Sequence, residues 1–301
     1  MKKILFAICG AAVLFTGCKE HDQPLIIVQS VDSSYVVTPA PAAEAHNVLI
    51  EEFTGQTCSN CPAAHAELEG IASSHPAGSV NIIGMYLYNI PQAVPDIGTS
   101  KYDFRDSTAT NISTAIYGGV NQLPGAGIDR VPGSTGLQLG SGDWPNAVNT
   151  RLAVTTPVNL HVQSSYSAAT GTATITVFVT YTSSVSTAQN LSVVVVEDSM
   201  VDIQEEPLFG AFPSGYDSSY LFTNVFRGMV SSPPVGDPIL ATIPIKQPGQ
   251  VDRRIYTYKP KVFPPATPAI NVSRCRVIAF VNNANGSDKQ VVQSAQCKLA
   301  P

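Results

Sequence analysis

The run Val48-Leu49-Ile50-Glu51-Glu52-Phe53-Thr54-Gly55-Gln56-Thr57-Cys58-Ser59-Asn60-Cys61-Pro62 changes character halfway along. Its first six residues are mostly apolar, as in a buried strand. Its end places two cysteines two residues apart. Beyond them Ala64, Leu68, Ile71 and Ala72 fall on one face of a helix expected over residues 61–73. A pair of cysteines at a strand-to-helix junction is a redox motif in outline. The unsatisfied N–H groups and partial positive charge of a helix start stabilise a thiolate. Cys58 is therefore expected to have a lowered pKa and to act as nucleophile, with Cys61, one turn deeper, as the resolving thiol. Pro62 suits a first turn, where no N–H is needed.

Downstream, residues 47–154 alternate strand and helix patterns. Val80–Tyr88 is apolar throughout, as in a strand covered on both faces. A helix is expected from Asp106 to Tyr117, closed by Gly118-Gly119. A short strand follows at Gly127–Val131. Asp143 can cap a last helix from Trp144 to about Leu152, with Pro145 in its first turn. This order predicts an α/β domain.

The period changes to two in residues 155–301. Val158, Leu160 and Val162 alternate with polar residues, as do Ala173 to Tyr181. Further strands are expected at Leu191–Val196, Pro238–Ile245, Arg253–Tyr258, Arg274–Asn282 and Lys289–Lys298. Alternation broken by turn residues predicts an all-β, immunoglobulin-like sandwich. Asn285-Gly286 is a strong hairpin turn signal. Pairing about Gly286 sets Cys275 opposite Cys297, Val277 opposite Ala295 and Val281 opposite Val291. Directly opposed residues come within reach of a disulfide, so a Cys275–Cys297 bridge is expected. Two buried free thiols are the alternative.

Upstream, Lys2 and Lys3 precede an apolar run from Ile4 to Leu14, shorter than the ~20 residues that span a bilayer. With Phe15-Thr16-Gly17-Cys18 it resembles a bacterial lipoprotein signal. That resemblance implies that residues 1–17 are removed and that Cys18 carries the lipid, anchoring the chain to a membrane. The charged Lys19-Glu20-His21-Asp22 resembles a surface-export signal, and is otherwise a solvated tether. Residues 18–46, with Thr38-Pro39-Ala40-Pro41, have the composition of a tether, in which a short strand at Leu25–Val28 is weakly signalled.

Of six cysteines, Cys9 leaves with the signal and Cys18 takes the lipid. Four remain, an even number suited to two pairs in an oxidising compartment. The formal charge is -5, and loss of Lys2 and Lys3 makes it -7. No basic cluster is present to neutralise phosphates, which excludes nucleic acid as a partner.

The Val48–Pro62 segment resembles the active-site segment of the thioredoxin superfamily. By that resemblance residues 47–154 form a thioredoxin-like domain. Glu52 stands at the position of the buried acid that assists proton transfer from the second thiol, and Pro124 at that of the cis-proline shaping the substrate groove. Glu51-Glu52-Phe53-Thr54-Gly55, Phe226-Arg227 and Val277-Ile278-Ala279-Phe280-Val281 also resemble the outer-membrane protein 28 family of surface lipoproteins, described as adhesins. That likeness covers nearly the whole mature chain. It implies a lipid-anchored bacterial outer-membrane protein, facing the cell surface or else the periplasm.

Two functions follow. One is thiol–disulfide exchange on envelope proteins, with Cys58, Cys61, Glu52 and Pro124 as the site. The other is an adhesin or binding protein for a host protein or glycan, in which Cys58–Cys61 is a structural bridge; Thr57 stands where thioredoxins usually have tryptophan. Neither needs a cofactor or a metal. His65 could share a helix face with both cysteines, but with no fourth zinc ligand it reads as an exposed helix histidine. Phe209, Phe212, Tyr216, Tyr220, Phe222 and Phe226 either pin a long connection or form a binding loop. Asp202, Glu205 and Glu206 read as a solvated loop.

Overall fold

The computed structural model describes residues 30–96, 98–134, 136–206, 214–261 and 268–301. Cys18, the expected strand at Leu25–Val28, Phe209 and Phe212 lie outside them. In chain order the elements are β1 (Ser30–Val36), β2 (Val48–Thr54), α1 (Cys61–Ser73), β3 (Val80–Tyr86), α2 (Ser107–Tyr117), β4 (Gly125–Ile128) and α3 (Trp144–Leu152). Then come β5 (Val158–Ser167), β6 (Thr172–Tyr181), β7 (Gln189–Glu197), β8 (Met200–Glu205), β9 (Tyr216–Phe222), β10 (Val225–Met229), β11 (Asp237–Pro238), β12 (Gln250–Tyr258), β13 (Cys275–Asn283) and β14 (Val291–Lys298). The protein is mostly β-sheet.

The main sheet runs β14-β13-β7-β10-β3-β2-β4, with β11 also on β7. It crosses the boundary expected near residue 154. β10 joins β3 in parallel at Val225 and Gly84, and the Gly84 N–H donates to the Asn224 carbonyl at 2.7 Å. A Cβ on Gly84 would stand 3.2 Å from that carbonyl oxygen, so glycine permits the approach. A second sheet has the order β1-β12-β6-β5. Residues 30–36, expected within the tether, are thus its edge strand, paired from Ser30–Tyr256 to Val36–Gln250.

Alternation along the strands sorts side chains to the two faces of the main sheet. One face carries Leu49, Phe53, Ile83, Met85, Val194, Val196, Ile278 and Phe280, and packs on Ala109, Ile112 and Ile116 of α2. The other face is divided. Val48, Ile50, Val80 and Ile82 meet Ala64 and Leu68 of α1 and Trp144 and Val148 of α3. Val193, Val195, Val277, Ala279 and Val281 meet the second sheet through Val158, Ile175, Val177 and Tyr256. Fully burying each such side chain contributes about 1.5–3 kcal/mol.

The helix bounds hold, and other expectations shift. α1 starts at Cys61, so Cys58 lies in the turn before the helix; the Cys61 N–H donates to the Cys58 carbonyl at 3.0 Å. Asp106 caps α2, accepting from the N–H groups of Thr108 and Ala109 at 2.7 and 3.2 Å, and Gly118 closes it in the left-handed region. Asp143 precedes α3 without a side-chain capping bond. Of the strand expected over Pro238–Ile245, only Asp237–Pro238 pairs, because Pro238 and Pro244 lack ladder donors and Leu240 turns with φ 44°.

The β13–β14 register also differs. The turn closes from Asp288 N–H to the Asn285 carbonyl, so its centre lies after Gly286, and a bulge between Val281 and Asn282 adds one more residue. Cys297 therefore faces Val277, and Cys275 and Cys297 are both free thiols. The expected Cys275–Cys297 disulfide does not form in this register.

Candidate functional site: the Cys58–Cys61 disulfide and its surroundings

β2 carries the chain to a tight turn that presents Cys58. Gly55 makes that turn: a Cβ there would lie 2.1 Å from the Gln92 carbonyl oxygen. Close approach lets Gln92 accept from the Thr57 N–H at 3.0 Å and from the Thr57 hydroxyl at 3.1 Å. Cys58 and Cys61 are joined by a disulfide, with Cα atoms 5.4 Å apart. Both are buried, at 5% and 2% exposure.

The cover comes from the far half of the chain. Gln204 of β8 donates from Nε2 to the Cys58 carbonyl at 3.1 Å and to the Gly55 carbonyl at 3.3 Å. The Glu205 N–H donates to the Gln56 carbonyl at 2.9 Å. Gln56 in turn donates to Asp202 at 3.3 Å. Asp202 is not a solvated loop residue: it is buried, and accepts from the backbone of Lys101 and Tyr102. The aromatics here pin the hairpin. Phe222 packs 4.7 Å from Phe104 and Tyr220 lies 4.8 Å from Phe222, ring to ring.

Adjacent residues on a strand point to opposite faces, so Glu51 and Glu52 have different partners. Glu51 turns toward α2, where Arg130 binds it through two 2.8 Å contacts and the Tyr117 hydroxyl donates at 2.5 Å. This is a buried bolt between β2 and the loop after β4. Glu52 turns toward α1 and is fully buried. Its Oε2 meets His65 Nδ1 at 3.3 Å, while its Oε1 has no hydrogen-bond partner among the described residues. A buried oxygen left so costs about 1–3 kcal/mol or more.

His65 is not an exposed helix residue. Its side chain is 13% exposed, and its Nε2 donates to the Thr223 hydroxyl at 2.8 Å. That hydroxyl donates to Glu69 Oε1 at 2.6 Å, and Glu69 also lies 3.3 Å from His65 Nε2. Both ring nitrogens thus face acceptors, as in an imidazolium. Burial disfavours that charge, but the hydrogen bonds to Glu52 and Glu69 outweigh it and raise the pKa to about 10. The His65 hydrogen bond, against the opposing effect of burial, lowers Glu69 to about 2.

Cys61 and His65 line one small cavity with Thr54, Tyr86, Gln204, Tyr220 and Phe222. Its volume is about 10 Å³, near the minimum for one water. Burial raises the Tyr86 and Tyr220 phenols, so both stay neutral at ordinary pH.

Pro124 follows a cis peptide bond, and the Phe53–Gly125 pairing brings it level with Thr54 at the end of β2. Cys275 and Cys297 lie elsewhere, in the core between the main and second sheets. Cys275 Sγ donates to the Asn271 carbonyl at 3.3 Å. Burial pushes the two thiols up to about 12 and about 11. Sequence reasoning missed Gln204 and Thr223, which arrive from remote segments, and read the buried Asp202 as solvated. The His65–Glu69 spacing of four residues was the available sign of a helix-face pair.

No helix among the described residues is long and apolar enough to cross a membrane. Among solved structures, HBP35 of Porphyromonas gingivalis superposes with TM-score 0.60 at 15% identity, over 86% of this chain and 77% of that one. This is a likeness of fold. A domain of the outer membrane lipoprotein Omp28 from the same organism gives TM-score 0.31 at 16% identity, over 48% of this chain and 90% of that one. A search of curated proteins finds no match. The profile of the outer membrane protein Omp28 family matches residues 112–300, from α2 onward. That span is well over half of the sequence, and the chain belongs to the Omp28 family of outer membrane proteins.

Proposed function

We propose that this outer membrane protein exchanges thiols and disulfides through Cys58 and Cys61, anchored by lipid on Cys18. In this reading β2, α1, β3 and β4 form a thioredoxin-like unit, and the two sheets packed around Val193, Val277 and Ile175 form an immunoglobulin-like sandwich. One observation carries the chemistry: the fully buried Glu52, with an unpartnered oxygen, is paired to a histidine that shares a cavity with Cys61. A bridge that only staples a turn has no use for a buried ionisable pair, and such pairs concentrate at functional sites.

The steps balance as follows. A substrate thiolate attacks Cys58 Sγ, and the S–S bond breaks. The electron pair leaves on Cys61 Sγ, which takes up a proton. A second substrate thiolate then attacks the mixed disulfide and releases Cys58 as thiolate. The substrate dithiol is oxidised and the protein pair reduced; the reverse reaction reduces a substrate disulfide. Attack on Cys58, which is 5% exposed, requires the cover over its sulfur to open.

The burial of both cysteines favours a second reading, a structural disulfide in a surface binding protein. Redox titration of the mature chain separates the two. Exchange predicts a potential near that of thioredoxin, about -270 mV, with turnover of a test disulfide. A potential below about -300 mV with no turnover would leave only the structural bridge.

A further inference from the structure

Cys61 is only 2% exposed, yet exchange requires a proton to reach its sulfur. A continuous chain of polar contacts leads away from its surroundings. Glu52 Oε2 meets His65 Nδ1, His65 Nε2 meets the Thr223 hydroxyl, and that hydroxyl meets Glu69 Oε1. Glu69 is 49% exposed. Thus a fully buried carboxylate is connected to solvent through one imidazole and one hydroxyl. The chain draws on three separate segments: β2, α1, and the residue that follows β9.

We propose that His65, which shares a cavity with Cys61, is a positioning residue for the exchange reaction, relaying protons between Glu52 and solvent at Glu69 by way of Thr223. The inference rests on the exchange reading and deepens it. When the disulfide opens, the electron pair remains on Cys61. One proton passes from His65 Nδ1 through Glu52 to that sulfur and leaves His65 neutral with its proton on Nε2; a turn of the ring then brings the bare nitrogen to Thr223, and solvent restores the proton through Glu69 and Thr223. In the reverse direction Cys61 gives its proton to the same chain before it attacks the mixed disulfide.

The direction of the hydrogen bonds suits outward transfer: the Thr223 hydroxyl accepts from His65 and donates to Glu69, and inward transfer needs that hydroxyl to rotate toward the imidazole. The groups around His65 leave it as the relay. Glu52 faces it from β2, Glu69 from its own helix, Tyr86 from β3 and Tyr220 from β9. Arg276 of β13 acts on Glu69. The two tyrosines stay neutral.

The test is stopped-flow reduction of the mature chain by dithiothreitol, followed across pH 6 to 10. Positioned proton transfer typically contributes 10²–10⁴-fold. His65→Ala should slow reduction about 100-fold, and imidazole added to the buffer should restore much of the rate. Thr223→Val, which keeps the imidazole and cuts only the outer link, should slow it about tenfold and raise the solvent deuterium isotope effect. It also serves if His65→Ala fails to fold. A wild-type chain that exchanges normally, with both variants matching its rate and pH profile, would overturn the relay and leave the exchange reading intact. Slowing by His65→Ala without imidazole rescue, together with an unchanged Thr223→Val, would also overturn it. A wild-type chain inert to test disulfides and to dithiothreitol would overturn both.

Discussion

Among its described residues the protein holds two pairs of cysteines, and only one closes. Cys58 and Cys61 sit in a turn whose local geometry alone brings their Cα atoms to 5.4 Å. Cys275 and Cys297 belong to neighbouring strands and depend on register. Two small displacements, at the turn after Gly286 and at the bulge after Val281, put Val277 opposite Cys297. Proximity set by three residues of chain is robust. Proximity set by a hairpin is lost when one residue is added to either side. The open pair is nonetheless protected, because burial disfavours its thiolates.

Alkylation tests that difference most sharply. At pH 8, thiols held at about 12 and about 11 expose roughly a thousandfold and a hundredfold less thiolate than a free cysteine. Native protein should therefore label slowly at Cys297 and more slowly still at Cys275, and both should react at once in denaturant. Mass spectrometry of timed samples reads the two rates; fast labelling of the native chain would refute their burial.

Disturbing the closed pair should cost less. Gly55→Ala drives a methyl group into the Gln92 carbonyl. It should destabilise the fold by about 3 kcal/mol and make Cys58–Cys61 easier to reduce. Urea unfolding and a redox titration of the variant measure both effects.

Val277→Cys supplies the open pair with the facing thiol it lacks. Directly opposed strand residues lie within disulfide reach, so the variant should oxidise to Cys297 while the wild type keeps both thiols. Non-reducing peptide mapping decides this, and persistence of three free thiols would show the register to be wrong. The lost methyl groups should cost about 1 kcal/mol before the bridge forms.

The smallest effect is one of pH. His65 titrates at about 10 in the fold against 6.5 ordinarily, so its contribution is complete below pH 6.5 and is lost as pH rises toward 10. Glu69 at about 2, against 4.5, contributes above pH 4.5 and loses its effect as pH falls toward 2. Because Glu69 is half exposed, solvent screens it, and its share should be under about 1 kcal/mol. Thermal unfolding of the wild type and His65→Gln should therefore differ most between pH 4.5 and 6.5 and converge by pH 10. Curves that remain parallel throughout would contradict the charged His65.

Local features were the legible ones. The strand before Cys58 and the bounds of α1 follow from apolar spacing, and Cys58–Cys61 from three residues of separation. Asp106 was visible where a helix begins. The crossing of the main sheet from β3 to β10 was not visible, because it rests on Val225 and Gly84, remote in sequence and unremarkable in composition. Thr223 and Gln204 reach the site for the same reason: loops of the second half are folded onto the first. The bulge at Val281 leaves no mark in a regular apolar alternation. Pro238 and Pro244, by contrast, were readable as breakers and argue against the strand expected there.

The shared sheet also sets the order in which the chain can finish folding. As the chain is synthesised, β3 is complete long before β10 exists. Until Val225 arrives, β3 keeps an open hydrogen-bonding edge, and Leu49, Phe53 and Met85 lack the partners of their core. Exposed edges and apolar faces of this kind invite wrong pairing. The first half of this protein therefore becomes safe from wrong pairing only when the second half has been made.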